Sequence, residues 1–155
     1  MRVCPDGFAH CVVFPCEPTS RTILLSHSPE SSLQAVRYDT TSPACASLPL
    51  YLRAEFVAFE DGHLLDFAPD EFLQSQALAF ARDQGLENIE TEIERDGRLW
   101  SIGQRGTRQL EDERLVIMNW LHFFGDYHVQ VMAAGHPRQV PSQHTVEFFR
   151  SVSRQ

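Results

Sequence analysis

The stretch ERLVIMNWLHFFGDYHVQVMAA, residues 113–134, decides how this chain is read. Two runs rich in β-branched and aromatic residues flank Gly125-Asp126, a pair suited to a tight two-residue turn. That turn sets a register with Phe124 opposite Tyr127, His122 opposite Val129 and Trp120 opposite Val131. Side chains alternate across a strand, so these residues share one face, apolar apart from His122. The other face carries Leu115, Ile117, Asn119, Leu121, Phe123, His128, Gln130 and Met132, apolar with polar interruptions. A hairpin with one wetted face shows apolar residues on one side only. This one needs cover on both, which places it at the centre of a sheet.

Upstream, residues 8–14 read as a strand stopped by Pro15 and Pro18, and residues 21–26 and 33–38 as two further short strands. Residues 27–32 connect the last two. Residues 39–47, rich in Thr, Ser, Ala and Pro, form the most loop-like segment. In residues 50–59, Leu50, Leu52, Ala54, Phe56 and Ala58 alternate with Tyr51, Arg53, Glu55, Val57 and Phe59, a longer strand closed by Asp61-Gly62. Residues 69–84 form the clearest helix. Pro69 suits its first position, Asp70 and Glu71 favour its positive end, and Gly85 stands where a left-handed cap is expected. Phe72, Leu73, Ala77, Phe80 and Ala81 make its core-facing stripe.

A second hairpin follows. Asp96-Gly97 as a two-residue turn pairs Ile93 with Trp100 and Thr91 with Ile102, leaving Glu90, Glu92 and Glu94 towards water. Residues 103–108, GQRGTR, are expected to bulge or turn into the opening hairpin. Residues 142–152 form a terminal helix with Ser142 as N-cap and Thr145, Phe148, Phe149 and Val152 on one face. The order is four strands, a helix, four strands and a helix. It predicts a single α+β domain over residues 1–155, an antiparallel sheet flanked by helices.

Composition narrows the function classes. The net charge of -8 argues against a nucleic-acid partner, which would call for a basic face. All 13 basic residues are Arg, so lysine Schiff-base chemistry and a Walker-type phosphate loop are excluded. The plainer reading of that usage, against a functional reason for it, is codon bias in a GC-rich bacterial genome. Cys4, Cys11, Cys16 and Cys45 contain no CxxC, and the N-terminal residues lack a long apolar region. The even count allows disulfides, but free thiols and a cytoplasmic location are expected. No run is long enough for a membrane span.

The element order resembles the PsbP/Mog1/DcrB-like superfamily. Phe14-Pro15 followed by Cys-Glu-Pro resembles that group's strand-ending Phe-Pro element. LVIMNWLHFFGDYHVQVMAA resembles its late strand pair, and FFRSV at 148–152 its Phe-rich closing helix. The resemblance implies an α/β/α sandwich that binds a protein partner without catalysis. Members include photosystem assembly factors, a small-GTPase-binding protein, lipoproteins and chaperones of secretion-system effectors. This chain lacks the lipoprotein signal.

Chemical candidates are each opposed by a plainer reading. Among the histidines, His122, His128 and His136 lie closest in sequence, but the hairpin register sends His122 and His128 to opposite faces, so no metal is expected. His10 and Cys11 are adjacent and diverge in the same way. Glu90, Glu92 and Glu94, and Glu111-Asp112-Glu113, read as solvated carboxylates. Arg95, Arg98, Arg105 and Arg108 are a weak candidate for an anion or acidic-peptide site, against a salt-bridged surface. No catalytic residue or cofactor is assigned. The predicted function is a cytoplasmic bacterial protein-binding module of adaptor, effector-chaperone or immunity type, with a homodimer among its partners. Its surface would be Leu121, Phe123, His128, Gln130 and Met132, or an exposed sheet edge. The opposing expectation is that the C-terminal helix covers that face through Phe148 and Phe149. The alternative function is a small-ligand binder or enzyme with a pocket between the sheet and residues 39–47.

Overall fold

Strand pairing builds two antiparallel sheets, described here from a computed structural model over residues 1–28, 31–59, 69–96 and 99–154. The larger has seven strands: β3 (Thr19–Ser28), β4 (Ser31–Asp39), β5 (Leu50–Ala58), β6 (Glu87–Asp96), β7 (Leu99–Leu110), β8 (Glu113–Phe123) and β9 (Tyr127–Gly135). Their spatial order is β3-β4-β5-β9-β8-β7-β6, which puts the 113–134 hairpin in the middle. The smaller sheet joins β1 (Arg2–Val3), β2 (His10–Val13) and β10 (Ser153–Arg154) in the order β1-β2-β10. Helices α1 (Pro69–Gln84) and α2 (Gln143–Arg150) complete the chain, with a short 3-10 turn at Pro43–Cys45.

The central hairpin has the register its turn dictates: Trp120 faces Val131, His122 faces Val129 and Phe123 faces His128. Gly125 takes φ +91° at the first central turn position, a conformation side chains disfavour, and Phe124 N–H donates to the Tyr127 carbonyl at 3.0 Å. Both faces are covered, by different means. On one, α1 packs Phe72, Leu73 and Ala77 onto Ile102, Leu121 and Phe123, and Phe80 onto Ile117 and Met132. On the other, Val12 of the small sheet, Phe14 just beyond it and Phe148 of α2 pack onto Leu52, Ala54, Phe56, Val129 and Val131. Each side chain of that size removed from water contributes about 1.5–3 kcal/mol, so the hairpin's double-sided apolarity is the main organiser of the core.

The helix ends follow from the sequence. Gly85 N–H bonds the Arg82 carbonyl and Leu86 N–H the Ala81 carbonyl, closing α1 with a Schellman pair. Ser142 and Thr145 form a reciprocal capping box at the start of α2.

The expected α/β/α sandwich is corrected. Among the described residues ten strands stand against two α-helices and one 3-10 turn, so the protein is mostly β. The reason lies at the N-terminus: the strand expected over residues 8–14 does not join the main sheet. It forms β2, whose partners β1 and β10 turn it into a second, three-stranded layer where a helical layer was expected. α2 spans 8 residues and covers only part of that face.

Three local corrections follow. Residues 103–108 do not bulge but run inside β7, where Gly103 leaves room for Trp120: a Cβ there would lie 2.5 Å from the indole ring. The β6–β7 register is slipped by two residues, with Ile93 opposite Ile102 and Arg95 opposite Trp100. A two-residue slip keeps every side chain on its face, so the division between Ile93 and the Glu side survives. All four cysteines are paired, Cys4 with Cys11 and Cys16 with Cys45, not free. Their long-range proximity is invisible in the spacing. The expected stops at Asp61-Gly62 and Asp96-Gly97 involve residues outside those described.

Candidate functional site

The strand register lays charged side chains in rows across the α1 face of the sheet. One row runs Arg21, Arg37, Glu55, Gln130 and Leu121 through β3, β4, β5, β9 and β8. The next runs Thr19, Asp39, Arg53, Met132 and Asn119. α1 seals the β8 side of these rows and leaves a cleft of about 410 Å³ towards β4 and β5. Arg37, Arg53, Glu55, His128 and Gln130 line it from the sheet, and Gln76, Phe80, Asp83 and Gln84 from α1.

The charges pair unequally. Arg37 Nε donates to Glu55 Oε2 at 2.9 Å and its Nη2 lies 2.8 Å from the same oxygen, while Glu55 is buried. Arg21 pairs with the buried Asp39. Burial alone would raise the Asp39 carboxyl, but hydrogen bonds from Thr41 and Arg21 outweigh it and hold the pKa below its usual value. Arg53 stands between these two pairs, opposite Asp39 in register, yet among the described residues it makes no ion pair. Its Nε is buried without a hydrogen-bond partner. Burial lowers its pKa, with Glu55 pulling it back up and Arg37 adding to the decrease. Three guanidiniums therefore share two buried carboxylates on this part of the sheet.

The residues named from sequence scatter. Leu121, Phe123 and Met132 are buried beneath α1, and it is α1, not Phe148 and Phe149 of α2, that covers their face. They are sealed core rather than an exposed surface. His128 and Gln130 do reach the cleft, although His128 is itself buried and its ring lies against Phe59 and Phe72. Arg105 opposes Glu90 on the face away from α1, whereas Arg95 opposes Trp100 on the α1 face with its guanidinium 4.8 Å from the indole centroid. Arg108 lies eight residues along β7 from Trp100, about 26 Å at strand rise. Those three do not converge, and Arg98 lies outside the described residues. Residues 39–47 are pinned by the Cys16–Cys45 bridge and do not line the cleft.

On the opposite face, Ser101 Oγ and His122 Nδ1 lie 2.9 Å apart. His122 stacks in line with Trp120 and Phe124, and burial, with a smaller contribution from His10, lowers its pKa to about 4. A neutral imidazole with a buried Nε2 is a packed side chain, not an accessible base. His10 stacks on Phe124 at 3.7 Å and bonds the Tyr127 hydroxyl, tying the small sheet to the hairpin.

Arg37, Arg53 and Glu55 were missed as a site from sequence. The available signal was charge at alternate positions of the apolar 50–59 strand, which reads as a wetted face until β4 and β9 flank it. No protein family, curated protein or solved structure matches this chain. No helix among the described residues is long and apolar enough to cross a membrane.

Proposed function

We propose that the chain is a non-catalytic binding protein that holds a small polar ligand in the cleft between α1 and strands β4, β5 and β9. One observation carries this reading. Arg37, Arg53, Glu55, Gln76 and Gln130 converge on a single concavity, whereas the apolar residues expected to meet a protein partner are buried. Concave sites with a few convergent polar groups are the usual form of ligand sites. The make-up of the wall supports binding over catalysis: Glu55 is held by Arg37, and amides and guanidiniums grip rather than react. The two disulfides favour an oxidising compartment over the cytoplasm that free thiols implied. Kinship with the PsbP/Mog1/DcrB-like superfamily rests on element order and short motifs alone.

The test is an amide-shift screen of the 15N-labelled protein against small polar compounds. Binding should move the resonances of Glu55, Gln76, Gln84 and Gln130 together. Shifts confined to other surfaces would remove the cleft from consideration.

The protein-partner reading, including a homodimer, retains one specific observation. β6 ends the large sheet and all ten of its residues are exposed, so its outer edge is open to strand addition. Glu87, Glu90, Glu92 and Glu94 line that strand and guard it against unselective pairing. Concentration-dependent mass by light scattering checks self-association through it.

A further inference from the structure

We infer that the ligand of this cleft carries a carboxylate, and that Arg53 is the residue that grips it. The inference rests on the cleft being the binding site. Its ground is the uneven pairing of charge. Arg37 and Arg21 are neutralised by Glu55 and Asp39, and both carboxylates are buried and occupied. Arg53 sits among them with no ion pair among the described residues and with Nε lacking a partner. A partly desolvated guanidinium without a counter-ion is costly, and that cost falls when an anion arrives with matching geometry.

Guanidinium chemistry selects the ligand. Its planar fork presents two parallel N–H donors to the two oxygens of a carboxylate, whereas an ammonium offers a point charge. The surplus on the sheet wall of the cleft is one positive charge, Arg37 and Arg53 against Glu55. A single carboxylate offsets it. Asp83, on the α1 wall, is exposed and screened by solvent, and it disfavours ligands of higher negative charge. Gln76, Gln84 and Gln130 offer amide donors and acceptors to the rest of the molecule.

Benzoate and its neutral isostere benzamide are the probes, titrated into 15N-labelled protein at constant ionic strength with chloride as control. The Arg53 Nε–H resonance is identified by its loss in Arg53→Lys. Benzoate should shift that resonance saturably and benzamide should not, and Arg53→Lys should weaken benzoate binding roughly tenfold. Arg53→Met provides a second readout. It should abolish benzoate binding while melting at the same or a higher temperature, because it removes a half-buried charge with no ion-pair partner among the described residues. A merely structural Arg53 would instead make Arg53→Met melt lower. Equal affinity for benzoate and benzamide, or unchanged benzoate affinity in Arg53→Lys, overturns the carboxylate assignment and leaves the cleft standing. Failure of both probes to move the cleft amides overturns the two together.

Discussion

Removing the Cys16–Cys45 bridge should destabilise the protein more than removing Cys4–Cys11, because the two close loops of very different length. Their sequence separations are 29 and 7 residues. Loop-closure entropy in the unfolded chain grows with the logarithm of that length, which gives about 3.6 kcal/mol for the longer and about 2.4 kcal/mol for the shorter at 25 °C. For a chain of this size each kcal/mol moves the melting temperature by about 2–4 °C, so the expected decreases are about 7–14 °C and about 5–10 °C. The assay compares Cys16→Ala/Cys45→Ala and Cys4→Ala/Cys11→Ala with the parent by thermal unfolding for the melting temperature and urea unfolding for the free energy, both read by tryptophan fluorescence. Alanine avoids placing a hydroxyl at Cys45 and Cys11, both of which are buried. Reductant should lower the stability of the parent and leave a quadruple alanine variant unchanged. Reaction of all four thiols with a thiol reagent in the oxidised, unfolded parent would refute the pairing. A larger loss from the 7-residue loop than from the 29-residue loop would refute the entropic argument itself.

Gly103→Ala should cost about 1–3 kcal/mol, since its Cβ would lie 2.5 Å from the Trp120 ring and overpack a strand interior; chemical denaturation measures it. Phe123→Glu should unfold the monomer outright, with a loss above about 4 kcal/mol, because it places an unpaired carboxylate beneath α1; far-ultraviolet circular dichroism at 25 °C reads it, and a folded variant would reopen that face as an interface. His122 has a pKa lowered to about 4 from 6.5, so the unfolded chain binds its proton first as the pH falls. Its contribution is complete above pH 6.5 and is lost as pH falls from 6.5 to 4, with an upper bound of about 3 kcal/mol. His122→Gln should flatten the stability profile across that window, and an unchanged slope would refute the assignment.

Local patterning made much of the β framework legible. The alternation in residues 113–134 and the Gly125-Asp126 turn were enough to place the hairpin, its register and its central position, because strand parity and turn length are short-range properties. The helix over Pro69–Gln84 and its glycine cap were equally readable. The glycines of residues 103–108 misled. A glycine reads as a break in a strand, but Gly103 serves as the space into which Trp120 packs, and that partner belongs to the neighbouring strand. The layer contributed by β2 also escaped, since nothing near residues 8–14 shows that they pair with residues 2–3 and 153–154. As for the site, His128 and Gln130 were named for an apolar interface and proved to border a polar cleft instead.

The order of residues was enough to locate most of the strands and the first helix, to say which side chains share a face, and to require cover on both faces of the 113–134 hairpin. Hydrophobic periodicity and turn chemistry act over a few residues, so they are encoded locally. Tertiary structure alone decided what supplies the cover: α1 on one face, and the small sheet with α2 on the other. It also decided which cysteines meet and that Arg53 stands beside two carboxylates already taken by other arginines. Those outcomes depend on contacts between residues tens of positions apart, and such contacts are selected by burial of the whole chain rather than by any segment's own pattern.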